Sequence, residues 1–146
     1  MRIEVMDRNQ EELVIPMYID YYNRCEDGCW TAKTAGRRIR QVLHMEDSYC
    51  LIMTDDNGAV CGFVMGYFKQ YDDILGYTLE EILIAREHQH KGLGSLLLDE
   101  LETRVRAAGA SCVELQAVND DLHERYYGKA GYRNARNFVM KVKWFS

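Results

Sequence analysis

The feature that most constrains this chain is an apolar, strand-like run that passes through a glycine-containing turn into a long helix-forming segment. Residues 82–85 (ILIA) form the run, residues 89–95 (QHKGLGS) the turn, and residues 93–108 the helical pattern. The first N–H groups of a helix have no internal partners and lie at the positive end of its dipole. Gly92 and Gly94 would let a phosphate approach the backbone closely, and Lys91 adds a positive charge. The feature therefore predicts an anion site at the start of a helix that follows a strand.

Two familiar phosphate-binding loops do not fit this turn. The nucleoside-triphosphate loop needs Gly-x-x-x-x-Gly-Lys-Ser/Thr, and the chain has no such run. The dinucleotide fingerprint needs three glycines that open an early βαβ unit, whereas this turn has two glycines and lies late in the chain.

The turn instead resembles the acetyl-coenzyme A loop of the GNAT (N-acetyltransferase) superfamily, whose signature is Gln/Arg-x-x-Gly-x-Gly/Ala. Gln89, Gly92 and Gly94 match its fixed positions. The resemblance continues at Asn119 and in residues 126–132 (YYGKAGY), a segment similar to the family's Phe-Tyr-x-x-x-Gly-Phe ending. The resemblance extends over roughly the C-terminal half of the chain, from Tyr77 onward.

Hydrophobic periodicity and turn signals predict a single α+β domain over residues 1–146. A capping pair, Asn9 and Glu12, is expected to open the first helix, which continues to about Arg24. The other helices are expected over residues 31–44, 93–108 and 121–129. Strands are expected over residues 2–6, 48–54, 60–69, 77–85, 111–118 and 137–144. The resemblance implies a GNAT-like arrangement: a central mixed, mostly antiparallel sheet of about six strands, flanked by about four helices.

Composition excludes several kinds of partner. The net charge is −5 and there is no basic block, so we expect no nucleic acid partner. No apolar run approaches the ~18 residues that span a membrane, and the N-terminus lacks a signal-peptide pattern, so a cytoplasmic protein is expected. Five cysteines, an odd number, indicate reduced thiols. Cys50, Cys61 and Cys112 are predicted to be small core residues, and Cys25 and Cys29 lack a second ligand pair, so no metal site is expected.

The resemblance implies that acetyl-CoA is the co-substrate. The loop amides would bind its pyrophosphate, and the backbone of the preceding strand would pair with the pantetheine arm, as an added peptide pairs with a sheet edge. In the family the fourth and fifth strands diverge, which leaves that backbone accessible. The implied cofactor-binding residues are Ile82, Leu83, Ile84, Gln89, His90, Lys91, Gly92, Leu93, Gly94, Ser95 and Asn119.

Acyl transfer to an amine also needs a general acid and a general base. The resemblance implies that Tyr127 occupies the position of the family's general acid, and Tyr126 is the neighbouring alternative. A phenol can protonate a departing thiolate. For the base, strand alternation places Glu80 and Glu81 on opposite faces, so only one should face the substrate. Glu80 is favoured, although a bulge would exchange the two. His123 is an alternative proton carrier or a residue that packs near the cofactor.

The sequence therefore predicts an N-acetyltransferase that moves an acetyl group from acetyl-CoA directly to a primary amine of a small molecule or peptide. The alternative is a catalytically silent acyl-CoA-binding sensor or partner-binding module. The aromatic residues of the first two helices are candidate walls of the acceptor pocket or core residues: Tyr18, Tyr21, Tyr22 and Trp30. A homodimer is compatible with the C-terminal aromatics Trp144 and Phe145.

Overall fold

A computed structural model describes residues 1–146, which form two compact units, Met1–Gln116 and Ala117–Ser146. The strands of the first unit are β1 (Arg2–Val5), β2 (Leu51–Thr54), β3 (Val60–Gln70), β4 (Leu75–Ile84) and β5 (Cys112–Leu115). Its helices are α1 (Glu11–Cys25), α2 (Ala32–Leu43) and α3 (Leu93–Ala107), and a 3-10 turn spans Arg86–His88. The second unit contains α4 (Asp121–Lys129). None of these helices is long and apolar enough to cross a membrane.

The five strands form one sheet in the order β1-β2-β3-β4-β5. The first three pairings are antiparallel and β4 pairs with β5 in parallel. The predicted α+β fold with a mixed, mostly antiparallel sheet is therefore confirmed, with five strands where about six were expected.

The predicted final strand over residues 137–144 is not formed, which corrects the sequence-based expectation. Residues 133–146 contain no helix or strand, and Phe138, Met140 and Val142 are all exposed. Alternating apolar residues become a strand only where a neighbouring strand supplies hydrogen bonds. No strand of the five-stranded sheet pairs with this segment.

Helices cover both faces of the sheet in the first unit. Side chains of α1 and α2, among them Val14, Tyr18 and Ile39, form one buried cluster with Phe63 and Leu83 of the sheet. On the opposite face, Leu97 of α3 lies beside Gly62 and Ile84. Because side chains alternate along a regular strand, successive residues of β4 face these two layers in turn, except where its register with β3 shifts between Leu79 and Glu81.

The cysteines divide according to their depth in the sheet. Cys50 and Cys61 are buried, as predicted, whereas Cys112 is exposed. The exposure of Cys112 corrects the expectation of a core thiol and follows from its position on β5, which is an edge strand.

Local sequence explains where the helices begin. Thr31 and Thr34 form a reciprocal capping box at the start of α2. The expected Asn9–Glu12 capping pair does not open α1; that helix begins after Gln10, which makes no side-chain cap. The side chain of Gln10 instead accepts a hydrogen bond from the N–H of Asp7. Pro16 lies inside α1, which runs continuously past it.

Candidate active site

A β-bulge in β4 places two carboxylates on the same face of the sheet. In the pairing of β3 with β4, Met65 lies opposite Glu81 and Gly66 lies opposite Leu79, so Glu80 is the extra residue. A bulge interrupts side-chain alternation and redirects the neighbouring side chains. Sequence-based alternation placed Glu80 and Glu81 on opposite faces; the structure corrects this, because both carboxylates contact Arg38.

Arg38, on α2, connects the two carboxylates. Its Nη2 donates to Oε2 of Glu80 at 3.0 Å and its Nε donates to Oε1 of Glu81 at 3.1 Å. Burial acts to lower the pKa of Arg38, but the hydrogen bond to Glu80 and the charge of Glu81 outweigh it and raise that pKa. The guanidinium therefore remains charged, and the three side chains together carry one net negative charge when both carboxylates are ionised.

Two tyrosines of α1 complete the surroundings of Glu81. The hydroxyl of Tyr18 donates to Oε1 of Glu81 at 3.0 Å, and that of Tyr22 donates to Oε2 at 2.6 Å. Burial raises the pKa of each tyrosine, and the charge of Glu81 raises it further. Both phenols therefore stay protonated and hold Glu81 as a hydrogen-bond acceptor.

The two carboxylates consequently differ in what they can do. Glu81 accepts three hydrogen bonds and its side chain is 10% exposed. Glu80 accepts one, from Arg38 to Oε2, and its side chain is 32% exposed. Oε1 of Glu80 is therefore the carboxylate oxygen of this group that is free to accept a proton from a molecule in solvent.

Further aromatic rings pack against the two tyrosines that hold Glu81. The rings of Tyr18 and Trp30 meet edge-on with centroids 5.0 Å apart, and Tyr21 and Tyr22 meet at 5.1 Å. Tyr18 is fully buried, whereas Tyr21, Tyr22 and Trp30 are half-buried. Of the candidate pocket walls, Tyr18 is thus a core ring whose hydroxyl contacts Glu81, and the other three reach the surface.

The turn before α3 has the geometry of a helix-start anion site. Gly92 is the N-cap residue in a left-handed conformation, φ +77°, and no side chain caps the helix. His90 also has a left-handed backbone, φ +63°, which is uncommon for a residue with a side chain. His90 and Lys91 are exposed, whereas Leu93, Gly94 and Ser95 are half-buried at the helix start.

The outer edge of β4 is open where the turn begins. The ladder between β4 and β5 covers Gly76–Leu79 and ends there. The N–H of Ala85 points to Cys61 of β3, so by alternation the backbone groups of Ile82 and Ile84 point away from β3. The side chain of Gln89 donates to the carbonyl of Ile84 at 3.0 Å, which ties the turn to this strand edge.

The second unit holds the remaining predicted site residues on or beside α4. Tyr127 is half-buried, and its ring meets those of Tyr126 and Tyr132 edge-on at 4.8 and 5.7 Å. These contacts restrict the orientation of the Tyr127 ring.

Asp120 caps α4 by accepting from the N–H of His123, and the His123 Nδ1 lies 2.6 Å from the same carboxylate oxygen. The hydrogen bonds from His123 lower the pKa of Asp120. Asn119 is exposed and precedes Asp120, so it does not cap the helix itself.

Sequence reasoning missed Arg38. It is one of several basic residues close together in the sequence, with Arg37 and Arg40. Such a pattern is typical of the solvent-exposed face of a helix. Two adjacent glutamates in an otherwise apolar strand were the available signal, because a carboxylate at a core-facing position needs a partner.

The model of the acetyltransferase (GNAT) family matches residues 14–132. The uncharacterized protein YxbD of Bacillus subtilis (strain 168) is 28% identical over 92 residues. That match covers 62% of this chain and 54% of YxbD, so the chain matches about half the length of this relative.

Solved structures share the fold at low sequence identity. A structure described as a probable acetyltransferase has a TM-score of 0.81 at 17% identity and covers 100% of this chain and 99% of its own. The ribosomal-protein-alanine N-acetyltransferase from Brucella melitensis biovar Abortus 2308 has a TM-score of 0.76 at 16% identity, with 99% and 100% covered. A structure from Clostridium difficile 630, described as a possible acetyltransferase, has a TM-score of 0.81 at 11% identity, with 99% and 98% covered.

Proposed function

Because the chain belongs to the acetyltransferase (GNAT) family, we propose that it moves an acetyl group from acetyl-CoA directly to a primary amine of a small molecule or peptide. The observation that carries this proposal is the bulge at Glu80, which places a partly exposed carboxylate next to Arg38 and leaves its Oε1 without a hydrogen-bond partner. The odd number of cysteines, five, favours a reducing, cytoplasmic setting for the reaction.

The residues of the turn and of β4 fit acetyl-CoA. The N–H groups at the start of α3 favour a pyrophosphate, and the left-handed Gly92 keeps a Cβ away from it. The open edge at Ile82–Ile84 offers backbone groups to the amides of a pantetheine arm. Asn119 is proposed as a further contact. Acetyl-CoA, when bound, supplies the thioester whose carbonyl carbon is attacked.

The proposed mechanism assigns each of the two proton transfers to a different residue. Glu80 accepts the proton that the amine loses, directly or through water, as the nitrogen–carbon bond forms. Tyr127 donates a proton to the sulfur as the carbon–sulfur bond breaks. A backbone N–H of Ile82–Ile84 stabilises the negative charge that develops on the carbonyl oxygen. Glu81, held by three donors, orients Arg38 and takes no proton.

The test is calorimetric titration with acetyl-CoA followed by a thiol-release assay over a panel of amines. We expect acetyl-CoA to bind and one class of amine to release thiol. Glu80→Gln should lower kcat about 100-fold, the lower end of a general base's contribution, and leave acetyl-CoA affinity unchanged. The matched control is Glu46→Gln, which makes the same change of charge at an exposed position of the chain.

Three results would contradict the proposal in different ways. Absence of acetyl-CoA binding would contradict the assignment of residues 89–95. Binding without thiol release would favour the silent sensor. Equal activity of Glu80→Gln and Glu46→Gln would remove Glu80 from the mechanism.

A further inference from the structure

We propose that the Arg38–Glu80–Glu81 group selects acceptor amines that carry no carboxylate next to the amine. This inference rests on the proposed function, because it assigns a substrate class to the same site. It follows from the charge of the group, from the existing partners of Arg38 and from the rings that border it.

The net charge of the group favours a cationic acceptor. Two carboxylates and one guanidinium leave one net negative charge, and the oxygen without a partner is Oε1 of Glu80. A single ammonium group at that oxygen would bring the local charge to zero. An acceptor with an adjacent carboxylate brings no net positive charge, so it places a second negative charge close to Glu80.

Arg38 is the cation of this group, and it already has two anionic partners. Both carboxylates already occupy it, with contacts of 3.0 and 3.1 Å through Nη2 and Nε. Its side chain is only 29% exposed. An incoming carboxylate would therefore meet a guanidinium that two anions already neutralise.

Aromatic rings pack around the tyrosine that contacts Glu81. The half-buried rings of Tyr21 and Trp30 lie against Tyr22, with centroids 5.1 and 6.5 Å from its own. Aromatic faces attract ammonium ions and offer no such attraction to a carboxylate. The hydroxyl of Tyr22 already donates to Glu81 at 2.6 Å, so it is not available to an acceptor carboxylate.

The test compares matched acceptors on three scaffolds: tyramine, tyrosinamide and tyrosine; agmatine, argininamide and arginine; isopropylamine, alaninamide and alanine. Within each set the amide keeps the size of the amino acid and removes its negative charge. Binding is measured by calorimetry in the presence of coenzyme A, and transfer by thiol release from acetyl-CoA. On the scaffold that fits best, we expect the amine and the amide to be favoured over the amino acid at least about tenfold in both measurements.

Two variants test whether the charge of the group causes the preference against the amino acid. In Arg38→Gln the cluster becomes more negative, so the preference against the amino acid should increase. In Glu80→Gln the negative charge is lost, and the binding preference should fall toward parity. Glu46→Gln should keep the preference of the unchanged protein.

The outcomes also separate this inference from the proposed function. Thiol release with amino acids equal to or better than their amides, and lost in Arg38→Gln, would overturn the inference while the acetyltransferase stands. Preferential binding of amines without thiol release would support the inference and contradict the proposed function. If no amine of any set binds or reacts, the inference is overturned, and acetyl-CoA binding alone then favours the sensor.

Discussion

The hydroxyl of Tyr22 is one of the three donors that fix the position of Glu81. It donates a 2.6 Å hydrogen bond to Glu81, whose side chain is nine-tenths buried. We expect Tyr22→Phe to lower the free energy of unfolding by about 1–3 kcal/mol, because a bond to a charged group is lost and Glu81 keeps fewer donors. Urea denaturation measures the change.

The control for Tyr22→Phe is Tyr67→Phe. Tyr67 is half-buried on β3 and its hydroxyl makes no hydrogen bond in the structure. Its replacement should change the free energy of unfolding by less than about 0.5 kcal/mol. Equal losses in the two variants would show that the bond to Glu81 contributes nothing specific.

Tyr127 is the residue on which the proposed acid step depends. We expect Tyr127→Phe to reduce kcat about 100-fold, because the departing sulfur would lose its proton donor. The KM for acetyl-CoA should change little, since the ring and its edge-on contacts with Tyr126 and Tyr132 are kept. Steady-state thiol release measures both constants.

Tyr126→Phe is the matched comparison for the acid step. The same atom is removed one residue earlier on α4, and kcat should fall less than about threefold if Tyr126 transfers no proton. A larger loss in Tyr126→Phe than in Tyr127→Phe would exchange the two roles.

At the scale of elements, the bulge in β4 depends on Gly66 of β3. A Cβ at Gly66 would collide with the carbonyl oxygen of Thr78 and approach the Tyr77 hydroxyl to 2.6 Å. We expect Gly66→Ala to lower the free energy of unfolding by about 2–3 kcal/mol and to reduce thiol release, because the strands must move apart where Glu80 is inserted. Chemical denaturation and the thiol assay measure the two effects.

Gly128→Ala is the control for a glycine without such a neighbour. A Cβ at Gly128 would meet no atom within 4 Å, and this residue lies inside α4. Alanine should stabilise the helix by about 0.5–1 kcal/mol. A similar loss of stability in both variants would show that close approach at Gly66 is not the cause.

Elements with their own start signals could be predicted from the sequence, whereas those that depend on neighbours could not. The bounds of α4 were predicted as Asp121–Lys129, and Asp120 caps that helix. The strand predicted over residues 48–54 begins at Leu51, and the strand predicted over 137–144 is absent. Strand ends are decided by hydrogen bonds to other segments, which periodicity along one segment does not contain.

The candidate site divides in the same way. The turn 89–95 could be found because its glycines and the helix after it are local features. The contact of Arg38 with both carboxylates could not, because it needs α2 and the bulge of β4 to be placed against each other. A glycine inside a strand pattern, as at Gly66, is typical of a bulge or of close backbone approach, but it does not indicate which residue of the partner strand is inserted.

At the scale of the whole molecule, three tyrosines couple folding to alkaline pH. Burial raises the pKa values of Tyr18, Tyr22 and Tyr77, and the hydroxyl of Tyr77 donates to the carbonyl of Tyr49 at 2.6 Å. An unfolded tyrosine loses its proton near pH 10. Below that pH both states keep the three protons, so these groups contribute no pH dependence there.

Above pH 10 the unfolded chain releases protons that the folded chain retains, so stability must fall as the pH rises. Each tyrosine contributes a slope of up to about 1.4 kcal/mol per pH unit, and the three together about 4. Urea midpoints between pH 9 and 11.5 measure this slope, and tyrosinate absorbance should rise for these three only as the chain unfolds. Tyr77→Phe should reduce the slope by up to about 1.4 kcal/mol per pH unit. An unchanged slope would mean that Tyr77 ionises within the folded protein and that its burial does not couple ionisation to unfolding.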